Sequence, residues 1–291
     1  MTGGRASLSP AEVGLILLAA CRGEIEAIKP GNVGLHGDGH GMSADDFFRS
    51  AELVAPVLSD PSMGLGERLA VAEERTMAAV GCNTNLGIVL LLGPLAEAVL
   101  VESDPAADLR TRLERVLAGL SVDDARGAYR AIRCAQPAGL GQSDEQDVAG
   151  EPTITLLEAM RIAADRDRIA RQYVTAYSDV FELGLPAYQG ALDRGWEPAW
   201  ALVAGYLRFM AAFPDTHITR EWGVAVAEEV RREASGVETR LKACENPRTA
   251  EPMLLSFDKK LKGEGLNPGT SADLTVATLA AFRLKTLLEL E

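Results

Sequence analysis

Four short runs hold most of the residues in this chain that could do chemistry. Lys29-Pro30-Gly31-Asn32 sets a cation at the end of an apolar-periodic stretch, where it offsets a helix dipole and could also grip a phosphate. Cys82-Asn83-Thr84-Asn85-Leu86-Gly87 places three uncharged hydrogen-bonding side chains between two apolar segments. One of them can serve as a helix N-cap, but three exceed what a cap requires. Just upstream lie Glu73 and Glu74, either of which could act as a base or a metal ligand. Asp215-Thr216-His217-Ile218-Thr219-Arg220 packs an acid, an imidazole and a guanidinium into one turn, although such neighbours can also simply pair at a surface. Asn267-Pro268-Gly269-Thr270-Ser271-Ala272-Asp273 brings Gly, Thr and Ser to a helix start, where free backbone N–H groups suit an anion; capping accounts for Ser271 alone. His36, Asp38 and His40 alternate in a Gly-rich loop, a pattern that metal sites share but that a flexible loop does not pre-position.

The elements that must position these runs read as helices. Ser9-Pro10-Ala11-Glu12 combines an N-cap, a Pro at the first helical position and a capping-box Glu, opening a helix to about Ile28. Ser43 caps a second helix, and a third stops at Gly81 before the Cys82 run. The very apolar segment after it reads as a buried core helix. Further helices are expected over 108–120 and 122–134, then, after an acidic Gly-rich loop, from Thr155 through residue 181 as one long segment. Others follow near 187–194, 197–213 and 219–243, and a last one is capped by Ser271. Period-two alternation is nearly absent and no βαβ pattern occurs. The expectation is one all-α domain spanning 1–291, with about ten or more helices and its functional loops clustered at helix ends.

Composition narrows the function. The 291 residues are 47% hydrophobic and 24% charged, the balance of an ordinary globular protein. A net charge of −13 repels phosphate backbones, so no nucleic-acid partner is expected. The four cysteines are far apart, with neither a C-x-x-C pair nor a disulfide framework. No signal peptide is read at the N-terminus, and the most apolar run falls short of a membrane span. A cytoplasmic, reducing location is expected, with the oligomeric state open, a dimer included.

Taken together and in order, the runs KPGNV, CNTNLGIVLLLGPLA, DTH followed by Arg220, and NPGTSADLT resemble the triphosphoribosyl-dephospho-CoA synthase family, over about Glu12 to Glu291. Familiar members carry NTHKG, DTN and SPGGSAD in the corresponding places. Asn85 therefore stands for a His, Leu86 for a Lys, His217 for an Asn and Thr270 for a Gly, and either Glu73 or Glu74 fits the glutamate upstream. The resemblance implies an ATP-dependent pentosyltransferase. The ribose 2′-hydroxyl of dephospho-CoA attacks C1′ of ATP and adenine leaves, giving the prosthetic-group precursor for the acyl carrier subunit of citrate lyase or malonate decarboxylase. It further implies Mg²⁺ on the triphosphate. Phosphate would fall to Lys29, Arg220 and the backbone of Gly269, Thr270 and Ser271. Asn83, Thr84 and Asn85 would orient the nucleotide. Glu74 and Asp215 are the candidate bases, and Glu73, Glu74 and Asp273 the metal carboxylates.

Two other classes compete with this reading. One is a metal-dependent hydrolase of nucleotides or ADP-ribose, with ligands from Asp45-Asp46, Glu73-Glu74 and Asp273; the other is a non-catalytic helical scaffold. A phosphoribosyl or triphosphoribosyl transfer in another cofactor pathway, such as that of a one-carbon pterin carrier, is the nearest variant of the main reading.

Overall fold

The computed structural model describes residues 7–101, 104–141 and 145–289. The extreme N-terminus and part of the acidic Gly-rich loop, both read above from sequence, thus lie partly outside the described residues. Fourteen α-helices run through the described residues, and the pairings outside them are two isolated bridges, Gly34 with Gly37 and Gly39 with Met42. The protein is all-α. No helix among the described residues is long and apolar enough to cross a membrane.

The chain divides into two compact units, each gathered from separate stretches. The first takes Met1–Ala20, Arg49–Tyr177 and Ala280–Glu291; the second takes Cys21–Phe48 and Ser178–Leu279. Three helices contribute residues to both: α1 (Pro10–Glu26), α2 (Ala44–Leu58) and α14 (Gly269–Glu289).

The first unit centres on α3 (Leu65–Val80), α4 (Leu86–Leu100) and α6 (Val122–Ala135), joined by α5 (Leu109–Ala118), α7 (Leu156–Ala163) and α8 (Arg168–Val174). Side-chain caps fix the helix starts: Asp108 Oδ1 accepts from Thr111 N at 2.8 Å, and Ser121–Asp124 and Thr155–Glu158 close full capping boxes. Helices α3 and α6 touch backbone to backbone. A Cβ on Gly127 would come within 2.0 Å of the Gly66 carbonyl, so only glycine permits this crossing. Helix α4 is apolar on nearly every side and buried. Its Pro94 has no N–H to offer the preceding turn. The carbonyls of that turn find other partners: Tyr173 Oη donates to Leu90 O at 2.6 Å and Tyr177 Oη to Leu91 O at 2.9 Å.

The second unit is built on α10 (Pro198–Ala212), whose run Trp200–Leu207 is buried, with α9 (Leu185–Asp193) and α12 (Val224–Lys242) packed against it. Helix α11 (Thr216–Trp222) packs on α12, while α13 (Glu251–Gly263) runs up to the Asn267 turn that opens α14.

The elements depart from the sequence expectation where local conformation outweighs pattern. The expected helix 219–243 is two helices, because Gly223 takes φ 87° and ψ 160°, a conformation open essentially to glycine alone. The long segment after Thr155 is also broken: α8 ends at Val174, Ala176 and Tyr177 turn left-handed, and a π-turn over Val180–Gly184 precedes α9. Helix α13 went unread because its charged residues obscure the apolar stripe of Leu254, Phe257 and Leu261. Helix α14 begins at Gly269, so Ser271 lies inside its first turn and is not its N-cap.

Tyr173→Phe would leave the buried Leu90 carbonyl without its side-chain donor. It is expected to lower unfolding free energy by about 1–3 kcal/mol, read as a lower denaturant midpoint at unchanged slope. An unchanged midpoint would mean that the Pro94 turn does not need this bond.

Candidate functional site

Three of the four polar runs lie in the second unit and are tied to one another. Lys29 follows the end of α1, and its ammonium turns back to Glu24, forming a buried ion pair. The same ammonium donates to Asn32 Oδ1 at 2.7 Å and to Val33 O at 2.8 Å. An ammonium has three N–H groups, and all three are engaged. Burial pushes the Lys29 pKa down and that of Glu24 up, and each partner's charge partly opposes the effect. The charge of Asp273 also reaches Lys29, which places the first turn of α14 near this ammonium.

The loop after Lys29 is held at several points. Gly31 has φ 85°, and a Cβ there would come within 2.8 Å of Pro268 Cδ, so KPGN and NPGT meet through glycine. Asn32 Nδ2 donates to Asn267 Oδ1 at 2.9 Å, Gly31 N to Asp258 Oδ1 at 2.8 Å, and Tyr206 Oη to Pro30 O at 2.8 Å. Lys262 pairs with Asp258 and donates to Gly37 O at 2.9 Å, holding the Gly-rich loop from α13. His40 Nε2 donates to Gly31 O at 2.9 Å and His36 Nε2 contacts Glu26 O at 3.3 Å, so both imidazoles brace backbone. Among the described residues no three His, Cys, Asp or Glu side chains gather as a ready-made metal site.

Asp215 links the other two runs. Its Oδ1 accepts from His217 N at 2.9 Å and Ile218 N at 3.4 Å, capping α11. Its Oδ2 accepts from Ser271 N and Ser271 Oγ, both at 2.8 Å, so one carboxylate closes the starts of α11 and α14 together. Thr270 Oγ1 adds a contact to Thr216 Oγ1 at 3.0 Å and accepts from His217 N at 3.2 Å. The imidazole of His217 lies over Gly269, where a Cβ would come within 2.7 Å of Nδ1. Burial lowers the His217 pKa, and nearby Arg220 and His40 oppose protonation further, together outweighing Asp215 and Glu221.

The fourth run lies in the first unit and behaves differently. Asn83 Oδ1 accepts from Leu86 N at 3.1 Å and caps α4, and Thr84 Oγ1 is 2.6 Å from Ser50 Oγ. Asn85 is 4% exposed, and neither its Oδ1 nor its Nδ2 has a hydrogen-bond partner. On α3, Glu73 is 0% exposed with both carboxylate oxygens unpartnered, and Thr76, one turn on, has an unpartnered hydroxyl. Burial alone pushes the Glu73 carboxyl up from 4.5 to about 7. Its neighbour points elsewhere: Glu74 Oε1 accepts from Arg130 Nε at 2.7 Å in an exposed ion pair. The two glutamates that sequence left interchangeable are therefore distinct, one buried and unpaired, one solvated and paired. Glu24, Asp258, Lys262 and Thr76 escaped the sequence reading, since a polar residue within a helix pattern carries no sign of burial.

With the geometry in place, comparison with known proteins puts the chain among ATP-dependent transferases. The chain belongs to the ATP:dephospho-CoA triphosphoribosyl transferase (CitG) family, whose model matches residues 10–291. It is accordingly an enzyme of that class, a triphosphoribosyl-dephospho-CoA synthase family member whose reaction uses ATP and dephospho-CoA. Its fold is similar to a crystal structure from Archaeoglobus fulgidus provisionally described as a triphosphoribosyl-dephospho-CoA synthase, at TM-score 0.59 and 24% identity, over 79% of this chain and 96% of that one. No curated protein matches the chain significantly.

The Lys29 cluster separates structural from substrate roles. Lys29→Met leaves Glu24 buried without its cation and is expected to cost about 3–5 kcal/mol of stability; adding Glu24→Gln should recover much of that loss. Urea unfolding of both variants checks this. If Lys29→Met is as stable as the parent protein and only weakens ATP binding, the ammonium serves the ligand and not the loop.

Proposed function

We propose that Glu73 and Asn85 are the side chains that meet the reacting substrates during triphosphoribosyl transfer from ATP to dephospho-CoA. One observation supports this above the rest: both are buried, carry hydrogen-bonding atoms, and have no partner inside the protein. Such a state costs about 1–3 kcal/mol for each unmet group; a bound ligand's hydroxyls relieve it at Glu73, and its hydroxyls or phosphates at the Asn85 amide.

In the reaction the attacking ribose oxygen bonds to C1′ of ATP while the C1′–N bond to adenine breaks. Adenine leaves with the bonding pair and takes up a proton; the attacking hydroxyl gives one up, so the exchange is proton-neutral. Glu73 is the acceptor for the hydroxyl proton. A carboxyl pushed up to about 7 is suited to that task, because a base works best with a pKa near the working pH. The Asn85 amide, with a donor and an acceptor, orients a ribose hydroxyl. In the second unit, Arg220 is the cation assigned to phosphate, whereas Gly269 N and Ser271 N already donate to Asn267 O and Asp215 Oδ2. Lys29 and Asp215 serve that arrangement by fixing the loops, since their polar atoms are already engaged.

Mg²⁺ fits as a passenger on the triphosphate. It prefers phosphate and water oxygens with one or two protein carboxylates. Asp273 is the carboxylate assigned to it, and the ion's contribution when bound is to neutralise triphosphate charge.

Glu73→Gln tests the reading on two counts. Adenine release from ATP in the presence of dephospho-CoA should fall by about 10²–10⁴-fold. Stability should respond to pH in a defined direction. Below pH 4.5 both folded and unfolded chains hold the Glu73 proton; between 4.5 and about 7 the unfolded chain loses it first, so the wild-type protein is progressively destabilised, and above about 7 the loss is complete. The melting temperature of Glu73→Gln should therefore draw ahead of wild type across that window. Undiminished turnover, or a melting difference flat in pH, would refute the assignment.

A further inference from the structure

We infer that Trp222 is the stacking platform for a substrate adenine, an inference that rests on the transferase reading and names a specificity residue for it. Both substrates carry adenine, a flat aromatic ring that proteins hold by stacking on aromatic faces. The chain is only 5% aromatic, and most of those rings belong to the core. Trp196 and Trp200 are buried, and Trp196 already has Arg194 over its ring at 4.5 Å. Trp222 is 50% exposed, and it is the one aromatic among the described residues in the exposed class.

Its setting is built to leave a ring open beside the polar cluster. Trp222 is the last residue of α11, the helix that begins at the Asp215 clamp and carries His217 and Arg220. Seven helical residues span about 10 Å, so the indole lies about one nucleoside's reach from the start of α14 clamped by Asp215. Gly223, at φ 87° and ψ 160°, then ends the helix. The benzo ring of the indole lies against Gly265, where a Cβ would come within 3.3 Å of Cζ2 and crowd the ring. Gly265 lies four residues before Gly269, over which His217 lies. An exposed indole beside this polar cluster has little structural purpose, whereas a base stacked there would have its phosphates directed toward Arg220.

Intrinsic fluorescence and kinetics test this together. Of the three tryptophans only Trp222 is accessible, so binding of its adenine should change the emission of wild type and leave Trp222→Phe silent. ATP and dephospho-CoA are titrated separately, with inorganic triphosphate as a ligand that lacks the base. One adenine nucleotide should quench and triphosphate should not, which identifies the adenine held. Trp222→Ala should raise KM for that same substrate at least about fivefold, the lower end expected for losing a stacked base. It should raise KM for the other substrate much less, and Trp222→Phe should restore most of the loss. Unchanged KM values in Trp222→Ala, equal quenching by triphosphate, or a changed sedimentation coefficient with unchanged KM would overturn the platform; the last would make Trp222 a subunit contact. If Glu73→Gln abolishes adenine release while Trp222→Ala leaves both KM values alone, the platform fails and the transferase assignment stands.

Discussion

A hydrogen-bonding group carried out of water needs a partner inside the protein, and the distribution of satisfied and unsatisfied groups divides this chain into two kinds of polar residue. A buried group without a partner costs about 1–3 kcal/mol, and a buried charge costs more. In the second unit the side chains of Lys29, Asn32, Asp215, Thr270 and Ser271 are matched. The Lys29 ammonium makes three contacts, the Asp215 carboxylate accepts four, and Asn32 meets Asn267. These residues form a frame. In the first unit Glu73, Thr76 and Asn85 are buried and unmatched. A fold does not retain such groups for its own stability, and the family's substrates offer the hydroxyls and phosphates that would complete them.

The frame explains why functional residues sit on segments that look weak by propensity. The Gly31, Pro268 and Gly269 positions would be poor choices in regular helices. Here they let the KPGN loop approach the start of α14 and let His217 lie flat against it. Asp215 then compensates two helix termini with one carboxylate, which fixes α11 and α14 against each other. That clamp uses the Ser271 N–H itself, and Gly269 N donates to Asn267 O at 2.8 Å, so the start of α14 is held from within the protein.

Much of the fold was legible in the sequence, because capping boxes and 3.6-residue periodicity are local signals. Ser9–Glu12 and Thr155–Glu158 form as their spacing demands, and Gly81 ends α3 with φ 81°. The breaks were less legible. Gly223 and the left-handed Ala176–Tyr177 pair are tertiary outcomes, and a single Gly or an Ala-Tyr pair within an apolar pattern does not announce them. For the site, residue type singles out the polar runs but does not show what each atom touches. A lysine near glycines suggests phosphate; only its partner Glu24, five residues back on α1, shows that the charge is already matched. Glu73 and Glu74 are adjacent and identical in type, yet about 100° apart around α3, which buries one and solvates the other. Asn85, which replaces the His of familiar relatives, retains two hydrogen-bonding atoms in a buried place, so the exchange alters the chemistry of that position without filling it with core.

The most direct measurement is a crystal structure of the enzyme with a non-reactive ATP analogue and dephospho-CoA bound together. A substrate hydroxyl is expected within hydrogen-bond distance of the Glu73 carboxylate, and a substrate hydroxyl or phosphate oxygen within that distance of the Asn85 amide. Substrates bound elsewhere, with both side chains still unpartnered, would contradict it.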